Sequence, residues 1–251
     1  ERGERGERGE RGEMPQMMTN PECFASARKP VGNASRSGSL FAEGDMNAFF
    51  RRLYARLNAQ GFQIKVLSQS PWLVKMDGFL KRDAVHQLIE ASESGPYSTR
   101  LRYEDVISDS KGERTRSGNE CTPLSGGKCL ARNFSMWVCG IHDPACNRRT
   151  GVARYLQRIW EVTRLSITHG DRVHVVRYGA GGFYRTHHDS TDVKGNMWLF
   201  CGARQLTLMV YLTDVAGGGN TRFPLINGPL PGGLSVEPRV GRALIWADTH
   251  A

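Results

Sequence analysis

The sequence changes its hydrophobic period once, and this change limits the folds open to the chain. In the first two thirds, apolar residues recur at the spacing of amphipathic helices, about 3.6 residues. This spacing predicts helices over 45–61, 81–92 and 154–165. Asp45 is a suitable N-cap for the first of them, and Gly61 is a suitable end.

Beyond the third predicted helix, apolar and polar residues alternate as they do in half-buried strands. The alternation predicts strands over 172–178, 205–212 and 243–246, joined by Gly-rich turns such as 179–182 and 217–219. Helices followed by strands predict a mainly β fold with flanking helices, either a sandwich or a barrel.

The first 44 residues differ in composition from the rest of the chain. They begin with four copies of Glu-Arg-Gly and continue as a stretch rich in Pro, Ser, Asn and Gly. Such a segment buries too little apolar surface to offset the entropy that ordering would remove. We therefore predict a disordered tail over 1–44 and one folded domain over 45–251.

The net charge of +9 lies on the residues after the tail, because the tail holds seven basic and seven acidic side chains. A basic surplus is compatible with a nucleic acid, an anionic membrane surface, or a small acidic substrate and its peptide partner. Arg-Gly repeats also occur in RNA-binding segments, but here each Arg has a neutralising Glu neighbour. The longest apolar run, 206–212, is shorter than the about 18 residues that cross a bilayer, so no membrane segment is predicted.

The six cysteines contain no Cys-x-x-Cys pair, which argues against a structural zinc site. Cys121 with Cys129, and Cys139 with Cys146, are close enough in sequence to form disulfides in an oxidising compartment. Buried free thiols are an equally acceptable interpretation.

The segment 178–189 carries the residues with the most specific chemistry. It ends in His187-His188-Asp189, shortly after a predicted strand. Side chains two positions apart in extended chain point to the same side, so His187 and Asp189 can bind one metal ion, with His188 on the opposite side. An imidazole and a carboxylate begin the facial triad of non-haem Fe(II) oxygenases. The alternative is a turn in which Asp189 caps the backbone and His187 is merely exposed.

Several further motifs follow one another along the chain in a fixed order. They are Arg114-Thr-x-Ser117, Tyr178, His187-x-Asp189, the strand 207–212 with Asp214-Val-x-Gly-Gly, Thr221-x-Phe-Pro224, Gly233-Leu-Ser-Val-x-Pro238 and Gly241-x-Ala-Leu-Ile-Trp246. Together they resemble the catalytic domain of prolyl 4-hydroxylases over roughly 72–246. The resemblance implies a double-stranded β-helix, or jelly roll, with Fe(II), 2-oxoglutarate and ascorbate as cofactors.

The resemblance also implies roles for residues in the pocket. His187 and Asp189 match the first two iron ligands, and Tyr178 matches the strand tyrosine whose hydroxyl faces 2-oxoglutarate. Thr207 lies on the following core strand and lines the cosubstrate pocket in this interpretation. From the residues alone, Tyr178 is equally well a half-buried structural tyrosine, and Thr207 is equally well an ordinary strand residue.

A second set of residues is predicted to contact the peptide substrate. Arg114, Thr115 and Ser117 match a mobile loop that lies over the peptide site in the family. Without the resemblance, 111–127 is predicted to be a flexible, solvated loop. Tyr184 and Trp246 are candidates for contact with a proline ring, although aromatic residues at strand ends are more often part of a core.

The chain departs from the family pattern at its C-terminal end. The family continues with a strand that carries a third iron ligand, a His, and then a Lys that pairs with the far carboxylate of 2-oxoglutarate. Here no Lys follows Lys194, and His250 lies only four residues after Trp246. We therefore expect a partial sequence or a protein that has lost catalysis. If His250 is instead the third ligand, Arg204 and Arg242 are the first candidates to anchor the carboxylate.

The resemblance implies an Fe(II)/2-oxoglutarate-dependent dioxygenase that hydroxylates proline in a polypeptide partner, with no nucleic acid as partner. A rival interpretation is a non-catalytic peptide-binding module of the same fold, which lacks iron-dependent succinate production. A third is a basic RNA-binding protein, which predicts salt-sensitive RNA affinity without iron. The sequence leaves the substrate protein and the oligomeric state open, and only the resemblance points to the endoplasmic reticulum.

Overall fold

The described part of the chain forms four helices and ten strands. The computed structural model describes residues 45–93, 101–108, 114–117, 128–140, 143–166, 170, 172–189, 204–228 and 232–248, with the backbone alone within 101–133. The helices are α1 Asp45–Ala59, α2 Arg82–Glu93, α3 Pro144–Asn147 and α4 Thr150–Thr163. The strands are β1 Ile64–Gln69, β2 Trp72–Met76, β3 Leu101–Ser108, β4 Arg114–Ser117, β5 Lys128–Gly140, β6 Arg172–Tyr184, β7 Leu206–Val210, β8 Thr221–Phe223, β9 Leu234–Val236 and β10 Ala243–Ala247.

Two antiparallel sheets of four strands make up most of the β structure. One has the order β1-β2-β10-β7 and the other the order β4-β3-β5-β6, while β8 and β9 form a separate hairpin. β7 and β6 are therefore the last described strands of their respective sheets. The prediction of a mainly β fold with flanking helices is confirmed at this level.

The core lies between the helices and the sheet that contains β10. One face of α1 is buried, and Phe50 from that face stacks on Trp72 of β2 with ring centroids 5.2 Å apart. On β10, Ala243, Leu244 and Ile245 have no solvent exposure. Full burial of a large apolar side chain contributes about 1.5–3 kcal/mol. Because many of the buried apolar side chains lie here, we call α1, α2, α4 and the sheet β1-β2-β10-β7 the frame.

Helices α2 and α4 approach each other at a glycine. A Cβ atom added at Gly151 would lie 2.2 Å from the carbonyl oxygen of Gln87, so no other residue fits without separating the helices. At the far end of α4, the guanidinium of Arg56 donates hydrogen bonds to the carbonyl oxygens of Glu161 and Val162. These carbonyls have no partner within the helix, so Arg56 of α1 caps α4.

Strand β6 is unlike β10 because most of its residues are exposed or half-buried. Its pairing with β5 places Arg132 opposite Phe183 and Phe134 opposite Tyr178, so 179–182 bulge out of the ladder. The predicted turn at these glycines is thus a bulge inside one long strand. Gly181 has a φ of +71°, which a residue with a side chain adopts only with strain.

Other elements sharpen the sequence predictions. The three predicted helices are confirmed, with α4 beginning at Thr150, four residues earlier than predicted. A disulfide joins Cys139 at the end of β5 to Cys146 in α3, which resolves one of the two open cysteine pairs. The other pair and the predicted tail over 1–44 lie outside the described side chains. None of the described helices has the length and apolar character needed to cross a bilayer.

Candidate functional site

The site lies where the chain leaving β6 meets β7 and the end of β10. β6 ends at Tyr184, and the following residues turn and bring Asp189 against Thr207 of β7. Trp246 of β10 is directly opposite Thr207 in the antiparallel ladder. The two four-stranded sheets therefore both contribute side chains to one site.

His187 and Asp189 face each other across this site. The His187 Nε2 atom lies 3.2 Å from the Asp189 Oδ1 atom. The other ring nitrogen, Nδ1, lies 2.7 Å from the carbonyl oxygen of Arg185. Because a carbonyl only accepts, Nδ1 carries a hydrogen, so Nε2 is the ring nitrogen that can bind a metal once it is unprotonated. His188, which was predicted to face away, is exposed.

The second oxygen of Asp189 is bound from the sheet side. Thr207 Oγ1 lies 3.0 Å from Asp189 Oδ2, and the Arg204 guanidinium donates to the Asp189 carbonyl oxygen over 3.3 Å. Burial alone would raise the pKa of the Asp189 carboxyl. A hydrogen bond from His187 and its positive charge lower that pKa, as do a hydrogen bond from Thr207 and the charge of Arg204. Together they outweigh burial and hold the pKa below its usual value.

A second carboxyl group, Asp248, reaches the same hydroxyl. Its Oδ2 atom lies 2.8 Å from Thr207 Oγ1, and its backbone N–H donates to Gln205 over 3.0 Å. Burial, with a contribution from the nearby Asp189 charge, raises the pKa of Asp248 to about 6, although the contacts with Thr207 and Trp246 oppose the shift. The sequence-based prediction of the site did not include Asp248.

The pattern of the strands contains the signal that would have found Asp248. Residues directly opposite each other in an antiparallel pair project to the same face, and so do residues two apart in one strand. Thr207 is opposite Trp246, and Asp248 is two residues beyond Trp246. All three therefore share a face, although the pairing of β7 with β10 had to be known first.

Aromatic rings line the side of the site formed by β6. Tyr184 lies with its ring centroid 4.2 Å from that of His187, and Phe134 is about 6 Å from both Tyr178 (6.0 Å) and Tyr184 (6.1 Å). Tyr178 is 46% exposed, and partial burial together with the nearby Tyr184 raises the pKa of its hydroxyl, which stays protonated at neutral pH. On β10, Trp246 packs edge-on against Phe223, with their ring centroids 5.3 Å apart.

The predicted peptide-contact segment lies elsewhere in the sheet. Arg114, Thr115 and Ser117 belong to β4, where Thr115 is opposite Ile107 of β3. The prediction that 111–127 is a loop without strand structure is therefore wrong for 114–117. Two strands, β3 and β5, separate β4 from β6 in the sheet order. The side chains of these three residues lie outside the described part of the protein.

The two arginines that are candidates to anchor the far carboxylate of 2-oxoglutarate, Arg204 and Arg242, differ in position. Arg204 lies at the site, in contact with the Asp189 backbone. Arg242 is buried and bonds to the Asp77 carboxylate and the Glu237 carbonyl oxygen, so it is committed to the core. His250 lies outside the described residues.

The donor set of the site suits a metal such as Fe(II). An imidazole lone pair and a carboxylate oxygen converge from one short segment, and both are partly exposed, at 37% for His187 and 23% for Asp189. Within the residues that the structure describes, no group of three or more His, Cys, Asp or Glu side chains is arranged to hold a metal ion. His187 and Asp189 are thus a pair of candidate ligands rather than a complete set.

Comparisons with known proteins cover the part of the chain that contains this site. Residues 173–251 match the family model of the 2OG-Fe(II) oxygenase superfamily, a segment that contains His187, Asp189, Thr207 and Asp248. The predicted resemblance to the prolyl 4-hydroxylases is confirmed by two similar proteins. Mouse prolyl 4-hydroxylase subunit alpha-1 is 30% identical over 165 residues, which are 60% of this chain and 29% of that protein. Probable prolyl 4-hydroxylase 10 of Arabidopsis thaliana is 28% identical over 200 residues, which are 74% of this chain and 61% of that protein.

The chain thus spans less than two thirds of the length of these curated relatives. Among solved structures, a Pseudomonas putida prolyl-4-hydroxylase is similar with a TM-score of 0.46 and 18% sequence identity. That similarity covers 78% of this chain and 86% of the bacterial one.

Proposed function

We propose that this chain is an Fe(II)/2-oxoglutarate-dependent dioxygenase that hydroxylates proline residues in a polypeptide, on a double-stranded β-helix core. The observation that carries the proposal is the facing pair of His187 Nε2 and Asp189 Oδ1 in the segment that the oxygenase family model matches. The similar proteins are themselves prolyl 4-hydroxylases, which supports proline as the target and ascorbate as the reductant.

The residues of the site divide the work in this proposal. His187 presents Nε2 to the metal because the Arg185 carbonyl keeps the ring hydrogen on Nδ1. Asp189 presents Oδ1, while Thr207 holds its Oδ2. When bound, Fe(II) and 2-oxoglutarate supply the oxidation of the proline ring. The protein binds and orients the reactants and excludes water.

2-Oxoglutarate is a dianion, so its site needs hydrogen-bond donors and a cation. Tyr178 is the proposed donor, because its raised pKa keeps its hydroxyl hydrogen in place, and Thr207 is proposed to line the pocket. Arg204 is the proposed cation, because its guanidinium already lies at the Asp189 segment. We therefore expect Arg204→Gln to raise the KM for 2-oxoglutarate more than it lowers kcat.

The peptide is proposed to approach from the aromatic side. Tyr184 lies beside His187 and is the proposed contact of the proline ring, with Trp246 as a second candidate. Arg114, Thr115 and Ser117 are proposed to contact the polypeptide further from the reacting ring, in keeping with the position of β4 away from β6.

Metal binding is the first test, because it depends on the ligands alone. Fe(II) is titrated without oxygen into the wild-type protein and into His187→Ala, Asp189→Ala and His188→Ala. Each ligand variant is expected to lose more than about 100-fold in affinity, which exceeds the usual effect of outer-shell changes. His188→Ala is the matched control and should bind almost as the wild type does. Equal losses in all three variants would contradict the assignment of the ligands.

Turnover is the second test. Collagen-like and other proline-rich peptides are incubated with Fe(II), 2-oxoglutarate and ascorbate, and succinate and the gain of one oxygen atom by the peptide are measured. Both products should form together and should disappear in Asp189→Ala. Peptide binding without iron-dependent succinate would instead support the non-catalytic peptide-binding module.

A further inference from the structure

The hydroxyl group of Thr207 lies between two carboxyl groups. Its Oγ1 atom is 3.0 Å from Asp189 Oδ2 and 2.8 Å from Asp248 Oδ2. A hydroxyl has one hydrogen, so it can donate to only one of these oxygens. The other short contact is a hydrogen bond only if that carboxyl group carries a hydrogen of its own and donates it to Thr207.

The proposed role of Asp189 decides the direction of these hydrogen bonds. A carboxyl group binds a metal ion in its ionised form, in which its oxygens only accept. Thr207 then donates its one hydrogen to Asp189 Oδ2. In its contact with Thr207 Oγ1, Asp248 is therefore the donor.

We propose that Thr207 and Asp248 are positioning residues for Asp189, which hold its Oδ2 so that its Oδ1 faces His187. This inference rests on the proposed metal site at His187 and Asp189. It assigns to Thr207 a role toward the protein's own carboxylate, in addition to its proposed role toward 2-oxoglutarate.

The three residues differ in how firmly the fold holds them. Thr207 lies in β7, which pairs with β10, and β10 is itself flanked by β2 on its other side. Asp248 follows β10 directly, and its backbone N–H bonds to Gln205. Asp189 instead ends a turn beyond the exposed strand β6. The sheet thus supplies a fixed reference for a ligand that the turn alone would leave free to rotate.

Four variants and one control test the proposal. Thr207→Val has nearly the same shape but no hydroxyl, and Thr207→Ser restores the hydroxyl. Asp248→Asn retains an N–H that can donate to Thr207, and Asp248→Leu does not. Thr221→Val is the matched control, since Thr221 is also a half-buried strand residue whose hydroxyl accepts a hydrogen bond, from Tyr211 over 2.7 Å.

The first measurement is the affinity for Fe(II) alone, without 2-oxoglutarate. Outer-shell changes typically weaken metal binding by about 10–100-fold. Thr207→Val is expected toward the upper end of that range. Asp248→Leu is expected near its lower end, because Thr207 can still donate to Asp189. Thr207→Ser, Asp248→Asn and Thr221→Val should bind almost as the wild type does.

The second measurement is the crystal structure of metal-free Thr207→Val. Asp189 is expected to rotate, so that its Oδ1 moves away from the 3.2 Å separation from His187 Nε2. An unchanged separation overturns the inference, and so does an unchanged Fe(II) affinity in Thr207→Val beside a wild type that binds iron. If the wild-type protein does not bind Fe(II), the proposed function fails, and the metal-free structure still decides whether Thr207 positions Asp189.

Discussion

Strands β10 and β6 both lead into the site, and they are built in opposite ways. β10 is short, lies between β2 and β7, and has almost every side chain buried. β6 is long, is the last described strand of its sheet, contains a glycine bulge and leaves most of its side chains exposed. β10 leads to Asp248 and pairs with β7, which carries Thr207, while β6 leads to the proposed ligands His187 and Asp189.

The difference shows how stability and chemistry are separated in this protein. A ligand for a metal must reach solvent and substrate, so it cannot lie within a sealed core. In the proposed arrangement, Asp189 is fixed to the buried sheet by its hydrogen bond with Thr207, whose hydroxyl also contacts Asp248. Substitutions in the frame should therefore lower the free energy of unfolding. Substitutions of the proposed ligands after β6 should lower the affinity for Fe(II) with little change in the free energy of unfolding.

The largest effect is expected from a glycine in the frame. Gly151→Ala places a Cβ atom 2.2 Å from the Gln87 carbonyl oxygen, and backbone atoms cannot move aside without separating α2 from α4. We expect a loss of about 3 kcal/mol or more in the free energy of unfolding. Urea unfolding followed by circular dichroism measures it.

Gly181→Ala is the matched control on β6. A Cβ atom there meets nothing within 4 Å, and only the strain of a positive φ remains. The expected loss is about 1 kcal/mol. If Gly181→Ala destabilises as much as Gly151→Ala does, the bulge belongs to the frame and the contrast between the two strands fails.

A smaller effect is expected from shortening apolar side chains on the two strands. Leu244→Ala on β10 removes a side chain with no exposure and should cost about 3 kcal/mol, while Val176→Ala on β6, where the residue is 38% exposed, should cost under about 1 kcal/mol. Thermal unfolding of both variants checks the difference. Similar midpoints for the two would show that β6 is packed as tightly as β10.

The pH dependence of stability should carry a signature of Asp248. Its pKa is about 6 in the folded protein and about 4 in the unfolded chain, so the folded state binds the proton more tightly. The contribution of Asp248 to the free energy of unfolding is therefore fully present below about pH 4 and is lost as the pH rises to about 6.

Asp248→Asn removes this dependence and isolates it from other groups. Between about pH 4.5 and about pH 7, the free energy of unfolding of the wild type should fall by about 1 kcal/mol more than that of Asp248→Asn, after allowance for solvent screening. Urea unfolding with a chelator present measures both proteins. Parallel curves would mean that the Asp248 carboxyl titrates as it does in the unfolded chain.

The smallest effect is expected from the tail. Residues 1–44 carry no net charge and no apolar periodicity, so their deletion should leave the thermal midpoint almost unchanged. A drop of many degrees would show that the tail contributes to the frame.

The sequence predicted the elements whose pattern is strongly periodic. Helix α1 has buried apolar residues at helical spacing and ends near Gly61, and both features are visible in the sequence. His187 and Asp189 were predicted to lie on one side of an extended chain. The structure brings them together, with 3.2 Å between Nε2 and Oδ1, but in a turn that follows β6.

Features that depend on pairing between distant strands were not predicted. β2 lies between β1 and the distant β10, and it lacks the alternation that marks a half-buried strand because it is buried at almost every position. Asp248 joins the site only because β10 pairs with β7 in one register. A contact set by register over dozens of residues leaves no local signal.

The cap that Arg56 places on α4 has a consequence for the exchange of backbone hydrogens. The last carbonyls of α4 lose their acceptor role toward Arg56 whenever α1 detaches. The final turn of α4 and the Arg56 turn of α1 should then become accessible to deuterium together, at one common opening free energy. These two helical turns, far apart in the chain, would form a single unit of local unfolding.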